Sequence, residues 1–175
     1  MSGTHEHLKR LIRDVPDFPK PGILFRDLTP LLADADALRE AVAALVEPFA
    51  AERIDRVLGI ESRGFLLGAP VALQLCAGLA IVRKAGKLPY KTLAVEYQLE
   101  YGSDRVEMHV DAVARGDRVL IVDDLIATGG TAGAAVALAR KAGAEIVGCA
   151  FLVELGNLNG RAWLAVDRIH AVLCY

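Results

Sequence analysis

The chain is sparing with the residues that mark special environments. It has three cysteines, Cys76, Cys149 and Cys174, each alone in an apolar stretch. Without CxxC spacing they read as reduced core residues, neither metal ligands nor a disulfide framework. Of four histidines, His5 and His7 fall in the polar start MSGTHEHLKR. There a frayed, solvated terminus is expected, with metal binding as the alternative. That start lacks the apolar stretch of a signal peptide, so a cytosolic setting is the default expectation. No apolar run approaches about eighteen residues, which argues against a membrane span. Charge of one sign is also missing: 20 Lys and Arg against 22 Asp and Glu give a net charge of −2. A broad electrostatic footprint for nucleic acid is therefore absent. No GxxxxGK[ST] occurs, which excludes a P-loop, and no GxGxxG follows a strand, which excludes the dinucleotide fingerprint. Repeats, low-complexity tracts and linkers are lacking too, so residues 1–175 read as one domain.

What is present suffices for a full core. Apolar residues make up 54% of the chain and charged residues 24%, a globular balance at a one-domain length. Residues 5–14 carry a helical pattern with Leu8, Leu11 and Ile12 on one face. Pro16, Pro19, Pro21 and Gly22 predict an irregular loop. Asp36 reads as the N-cap of a helix over residues 37–47, which Pro48 stops or kinks. A strand at 57–60 leads into a helix at 64–75, and the next strand is 79–82. Residues 93–97 and 105–110 alternate like paired strands around an excursion at Tyr101, Gly102 and Ser103. A strand at 119–122 precedes a helix at 131–141. Then come a strand at 146–152, a short helix at 157–163 and a closing strand at 169–173. Strands alternating with helices predict an α/β fold built on a mostly parallel sheet.

The richest segment is VLIVDDLIATGGT, residues 119–131. Four apolar residues suit a strand covered on both faces. Asp123 and Asp124 follow at its carboxyl end, where open α/β sheets place their ligands. Ala127, Thr128, Gly129, Gly130 and Thr131 form a small-residue loop whose amides can approach an anion closely. The helix beginning near Thr131 adds its positive end. Phosphate beside carboxylates suggests a sugar phosphate, with amides holding the phosphate and acids accepting from hydroxyls. A Gly-Gly pair alone would be equally at home in a tight strand-to-helix turn; the thirteen-residue string says more.

Four further segments carry polar chemistry. GIESRGF, residues 59–65, is a second strand-to-helix junction. Arg63 there can bind a phosphate or pyrophosphate bidentately, or simply be a solvated residue at a helix start. VRKAGKLP, residues 82–89, gathers Arg83, Lys84 and Lys87 around Gly86. That set suits a pyrophosphate, though a solvated basic loop has the same composition. LEYGSDRVEMH holds Glu100 and Tyr101 between two strand candidates. It can serve as a mobile lid that excludes water or as an ordinary surface hairpin. In FPKPGILFRDLTPLL, residues 18–32, Phe25 can stack on a flat ring while the backbone near Ile23 reads a base edge. The alternative is that Ile23, Leu24 and Phe25 plug the core.

In their order along the chain, PDFPKPGILFRD, GIESRGF, RKAGKLP, LEYGSDRVEMH and VDDLIATGGT resemble the motifs of the type I phosphoribosyltransferases, in their adenine-using branch. The resemblance spans Pro16 to Thr131. It implies that family's fold: a central, mostly parallel sheet flanked by helices, a small N-terminal hood (about residues 1–35) and a flexible lid loop (about 88–109). It implies a pentosyltransferase of purine salvage, converting adenine and phosphoribosyl pyrophosphate (PRPP) to AMP and pyrophosphate. Ile23, Phe25 and Arg26 would hold adenine. Ser62, Arg63, Arg83 and Lys87 would bind pyrophosphate, with a cis non-proline bond expected at Ser62–Arg63. Asp123 and Asp124 would hold the ribose, and Ala127, Thr128, Gly129, Gly130 and Thr131 the 5′-phosphate. Glu100 and Tyr101 would belong to the lid. Glu100, Asp123, Asp124 and Arg63 would form the catalytic set, with Glu100 as acid/base. Mg²⁺ would sit mainly on PRPP oxygens and water, with no direct protein ligand. The resemblance further implies a homodimer, with Arg83 and Lys87 able to act across the interface. It implies neither a nucleic-acid nor a membrane partner. Ala85 departs from members with a third basic residue or Pro, and Tyr90 from those with a small residue. Two other readings remain open: a regulator that senses PRPP without catalysis, and a transferase for hypoxanthine, guanine or xanthine.

Overall fold

A computed structural model describes residues 5–99 and 102–175. A 3₁₀ turn at Glu6–Leu11 is followed by the strand β1, Arg13–Pro16, and by β2, Leu24–Asp27. These two form a separate antiparallel pair, in register from Arg13↔Asp27 to Pro16↔Leu24. The helical pattern expected over 5–14 is therefore cut short, because Arg13 to Pro16 are used as a strand instead. His5 and His7 are not frayed. Nδ1 of His5 lies 2.6 Å and Nε2 of His7 2.9 Å from the two carboxylate oxygens of Glu40.

Next come α1, Thr29–Ala33, and α2, Ala35–Val46. The cap of α2 is Asp34, two residues before the one expected. Its carboxylate accepts from the amides of Asp36 and Ala37 at 3.0 and 2.9 Å, which satisfies two of the free donors of the first turn. Asp36 sits inside that turn, where its charge meets the positive helix end. The helix stops at Val46, and Pro48 lies in a 3₁₀ turn, Glu47–Phe49.

The main sheet begins with β3, Arg56–Ile60, which leads through α3, Arg63–Gln74, to β4, Gly78–Lys84. A hairpin follows, β5 (Thr92–Leu99) and β6 (Gly102–His109), antiparallel and paired from Thr92↔His109 to Leu99↔Gly102. Gly102 and Ser103 are thus strand residues rather than the tip. β7, Arg118–Ile126, then passes through α4, Gly130–Lys141, to β8, Glu145–Glu154, and two 3₁₀ turns lead to β9, Ile169–Cys174. The order across the sheet is β5-β6-β4-β3-β7-β8-β9, with β4, β3, β7, β8 and β9 parallel.

Alternation along β7 divides the core. Leu120 and Val122 pack with α2 and α3 on one face, among Leu45, Leu67 and Val71. Val119 and Ile121 pack with α4 on the other, among Ala135, Leu138 and Met108. Both faces are covered, as an apolar parallel strand requires. Only Cys149 of the cysteines is in this core; Cys76 and Cys174 are exposed. An apolar neighbourhood in sequence did not bury them, because both stand at the ends of elements. Burial pushes the Cys149 thiol up to about 12. No described helix is long and apolar enough to cross a membrane.

Candidate active site

The connection after β3 runs toward β4, while the one after β7 runs the other way, toward β8. The crevice between the carboxyl ends of β3 and β7 is therefore a topological switch point, where open α/β sheets bind ligands. β3 is paired with β7 only as far as Gly59↔Val122, whereas β7 continues beside β8 to Ile126↔Glu154. Past Val122, β7 has an open side, and Asp123 and Asp124 stand there. A cavity of about 340 Å³ opens at this point. It is lined by both acids, by Ala127, Thr128, Gly129, Gly130 and Thr131, and by Glu61, Arg63, Lys84, Tyr97 and Asp104.

The two adjacent acids have different surroundings. Asp123 accepts from the Asp124 amide at 2.8 Å, and burial followed by the neighbouring Asp124 charge raises its pKa well above the ordinary carboxylate value. Asp124 takes the Nε of Arg63 at 2.5 Å. Gly64 explains the glycine of the second motif. A Cβ there would lie 2.7 Å from Oδ1 of Asp123 and 3.0 Å from the Val122 carbonyl, so α3 can start against β7 only without a side chain.

The loop from Ala127 to Thr131 turns at Gly129, whose φ of 84° is left-handed, and opens α4. These residues line the cavity, and α4 starting at Gly130 brings its positive end to the same place. The loop is backed by the segment after β8. A Cβ at Gly129 would meet the Gly160 carbonyl at 2.3 Å, and one at Gly160 would meet the Ala127 carbonyl at 2.2 Å. Arg161 clamps this backing: its Nε reaches both carboxylate oxygens of the buried Glu154, at 2.6 and 2.8 Å, and it donates to the Ile169 carbonyl at 2.7 Å.

The basic turn after β4 meets the second motif. Arg83 and Lys87 both reach Glu61, at 3.0 and 2.5 Å. Lys84 pairs with Asp104 of the hairpin at 3.1 Å. The cis peptide bond of this junction is Glu61–Ser62, one residue before the expected Ser62–Arg63. Ser62 stands as the residue before α3 and makes no side-chain cap bond.

Ile23 and Leu24 are exposed, at 39% and 46%, so they do not plug the core. Phe25 is half-buried, with Phe18 edge-on at 5.1 Å and the Arg63 guanidinium 5.1 Å from its ring centre. Arg26 turns its side chain elsewhere, to an ion pair with Asp14 and onto the Tyr175 ring at 4.0 Å. Only its backbone remains for a ligand at the crevice. Tyr90 packs edge-on to His109, 6.0 Å between centroids, at the foot of the hairpin and outside the cavity lining. Glu100 and Tyr101 lie outside the described residues. Sequence reasoning missed Glu61, Tyr97 and Asp104. A single carboxylate or phenol carries no local signal; register sets Tyr97 opposite Asp104, and Glu61, in the turn after β3, is marked only by the distant Arg83 and Lys87 that reach it.

Comparison with known proteins agrees with this geometry. The phosphoribosyl transferase domain family matches residues 27–171. The chain is 55% identical over 164 residues to an adenine phosphoribosyltransferase of Anaeromyxobacter dehalogenans, covering 94% of this chain and 95% of that one. The crystal structure of adenine phosphoribosyltransferase from Rhodothermus marinus superposes with a TM-score of 0.95 at 57% identity, over 98% of each chain. The enzyme from Saccharomyces cerevisiae, solved with adenine and an imino-altritol bisphosphate, gives 0.91 at 40% identity, over 97% of this chain and 98% of that one.

Proposed function

This chain belongs to the phosphoribosyltransferase family, and from that premise we propose that it transfers the phosphoribosyl group of PRPP to adenine. AMP and pyrophosphate are the products. The observation that carries the reading is the position of Arg63. One guanidinium touches Asp124 and lies over Phe25, so a ring stacked near Phe25 and a ribose held by the acids would be neighbours. The relatives compared above are adenine enzymes. That disfavours both a PRPP sensor and a transferase for a 6-oxo purine.

Adenine N9 attacks C1 of the ribose. The bond from C1 to the pyrophosphate oxygen breaks, and its electron pair leaves with pyrophosphate. The amides of residues 127–131 hold the 5′-phosphate, and Asp123 and Asp124 accept from the ribose hydroxyls. As C1 becomes oxocarbenium-like, those carboxylates favour its positive charge. Arg63, Arg83 and Lys87, with Ser62, take the leaving pyrophosphate. The backbone of residues 23–26 reads the base edge, and Glu100 accepts the N9 proton. Residues 1–35 form the hood and residues 88–109 the lid.

The donor chemistry suits Mg²⁺ carried in by PRPP. Asp124 is engaged by Arg63 and Asp123 by an amide, and among the described residues no three metal-ligating side chains cluster. Mg²⁺ readily keeps water and phosphate ligands; when bound it spreads the charge of the leaving pyrophosphate. We propose a homodimer through the outer face of α3, where Leu66 and Leu73 are 55% and 80% exposed beside the exposed Leu79 of β4. Spaced seven residues apart, the two helix leucines share a face. Such a dimer would bring the Arg83–Lys87 turn close to the partner. Three free cysteines fit a reducing, cytosolic setting.

The test is pyrophosphate release from PRPP with each purine in turn. Adenine should react, and hypoxanthine and guanine should be poor, because a site matched to a 6-amino edge leaves polar atoms unpaired against a 6-oxo one. Comparable kcat/KM for hypoxanthine would refute the assignment of the base.

A further inference from the structure

The hairpin is tied to the phosphate loop by one file of hydrogen bonds, and proton counting fixes its direction. Asp104 receives three donors: the Arg105 amide at 2.8 Å on Oδ1, and Lys84 Nζ at 3.1 Å and the Tyr97 hydroxyl at 3.2 Å on Oδ2. The amide, then Lys84, hold its pKa below the ordinary carboxylate range, so Asp104 is an acceptor only. Tyr97 keeps its proton, since burial raises its pKa, and it has just one to give. That proton goes to Asp104. The remaining neighbour of the Tyr97 oxygen is Oγ1 of Thr131, at 3.2 Å. With the phenol proton already committed, the Thr131 hydroxyl must be the donor of that bond.

We propose that Tyr97 is a positioning residue for the phosphate loop: it accepts the Thr131 hydroxyl proton and so keeps that hydroxyl turned away from the place of the 5′-phosphate. The proposal deepens the phosphoribosyl reading and rests on it. A phosphate oxygen is an acceptor and needs Thr131 as a donor. Thr131 can serve it only by rotating its hydroxyl off Tyr97. Phosphate binding and the Tyr97–Thr131 bond therefore compete for one proton. Loading of the loop then removes one of the ties that hold β5 against α4. The file runs from Lys84 at the end of β4, through both strands of the hairpin, to the first turn of α4.

The sign of the test is unusual. Tyr97→Phe keeps the ring and deletes only the oxygen, so Thr131 is released before the ligand arrives. PRPP with Mg²⁺, and ribose 5-phosphate alone, should bind roughly twofold to tenfold more tightly by titration calorimetry, the range expected for one net hydrogen bond. KM for adenine should stay as in the wild type. The gain should vanish in Tyr97→Phe/Thr131→Ala, because the two changes act on one bond. Unchanged or weaker binding of both ligands to Tyr97→Phe would overturn the proposal, and so would a gain that survives in the double variant. Gly129→Ala, whose Cβ would run into the Gly160 carbonyl and shift the loop backbone, separates the two levels. If it leaves both affinities at the wild-type value, the phosphate-loop reading itself fails. If it weakens them while Tyr97→Phe does nothing, that reading stands and the competition is refuted.

Discussion

Gly160→Ala tests whether the phosphate loop is held from behind. Residue 160 lies outside every motif that the sequence displays. Its φ is not left-handed, so alanine meets no backbone penalty there and the effect is steric alone. The new Cβ would lie 2.2 Å from the Ala127 carbonyl oxygen, and 3.0 Å from both the Gly129 amide nitrogen and Cγ1 of Ile126. A carbon and a carbonyl oxygen settle at about 3.3 Å or more, so relief requires roughly 1 Å of backbone movement. The 160 segment cannot supply it freely, because Arg161 is clamped to Glu154 and Ile169. The displacement passes to residues 127–129. Misplacing a positioning group by about 1 Å can cost on the order of 100-fold in rate, so kcat/KM for PRPP should fall by about that factor. Overpacking of this kind costs about 1–3 kcal/mol, which lowers Tm by about 2–12 °C in a chain of this size. Initial rates over a PRPP series at saturating adenine, beside thermal melts, read both numbers. A kcat/KM for PRPP within about threefold of wild type, in a variant whose Tm has fallen as expected, would refute the claim that the backing positions the loop.

Asp123→Asn and Asp124→Asn should both lose most of kcat, since an amide cannot favour a cationic ribose, but they should differ in stability. Asp123 has a folded pKa raised above its unfolded value, so its contribution to stability declines as pH rises from the unfolded value through the folded one; Asp123→Asn should gain Tm relative to wild type at pH 8 and lose that gain below about pH 4, whereas Asp124→Asn, which breaks the pair with Arg63, should melt lower at pH 8. Near-normal turnover in either variant would refute the role of the acids. Glu100→Gln should slow single-turnover chemistry while PRPP affinity stays unchanged, and wild-type rates across pH would show that Glu100 is not the acid/base.

The sequence made the fold legible wherever periodicity and punctuation agreed. The apolar run before Asp123, the Gly-Gly start of α4 and the alternation in the hairpin all became the expected elements. It was less informative at the ends of elements. In a linear reading the cap of α2 falls at Asp36, whereas Asp34, with extended backbone at φ −92° and ψ 117°, accepts from the first-turn amides. β7 was expected to stop at Val122 because charges follow. Pairing with β8 carries it on to Ile126, and the two buried acids there are partnered, Asp123 by the Asp124 amide and Asp124 by Arg63. The candidate site was legible where several unusual residues sit close together in sequence, as in residues 59–65 and 123–131. It was not legible where single residues meet across register. Tyr97, Asp104 and Gly160 owe their roles to neighbours distant in sequence, and no local pattern records those neighbours; Glu61 lies within a legible motif, but its pairing with Arg83 and Lys87 does not show there.

The charges around the crevice carry one further consequence for selectivity. Arg63 is held by Asp124, Arg83 and Lys87 by Glu61, and Lys84 by Asp104. The Glu61 and Asp124 carboxylates are the secluded members of these pairs, and without a partner each would carry a desolvation penalty, whereas Lys84 and Lys87 are exposed and remain solvated. The pairs therefore keep the ligand-free site stable, but a ligand must replace what it displaces. Inorganic phosphate offers acceptors to the cations but, being itself anionic, repels the carboxylates it would strand, with at most a hydroxyl or two to donate. A neutral sugar offers hydroxyl donors to the carboxylates and nothing to the cations. On the proposed function PRPP would present both within one molecule: phosphate oxygens to succeed the carboxylates on Arg63, Arg83 and Lys87, and ribose hydroxyls to succeed the guanidinium on Asp124. A site whose charges are paired in advance thus favours a ligand that carries phosphate and hydroxyls together over either fragment alone. The penalty falls mainly on a fragment that strands the secluded carboxylates, an asymmetry that can discriminate more strongly than the net strength of any one bond.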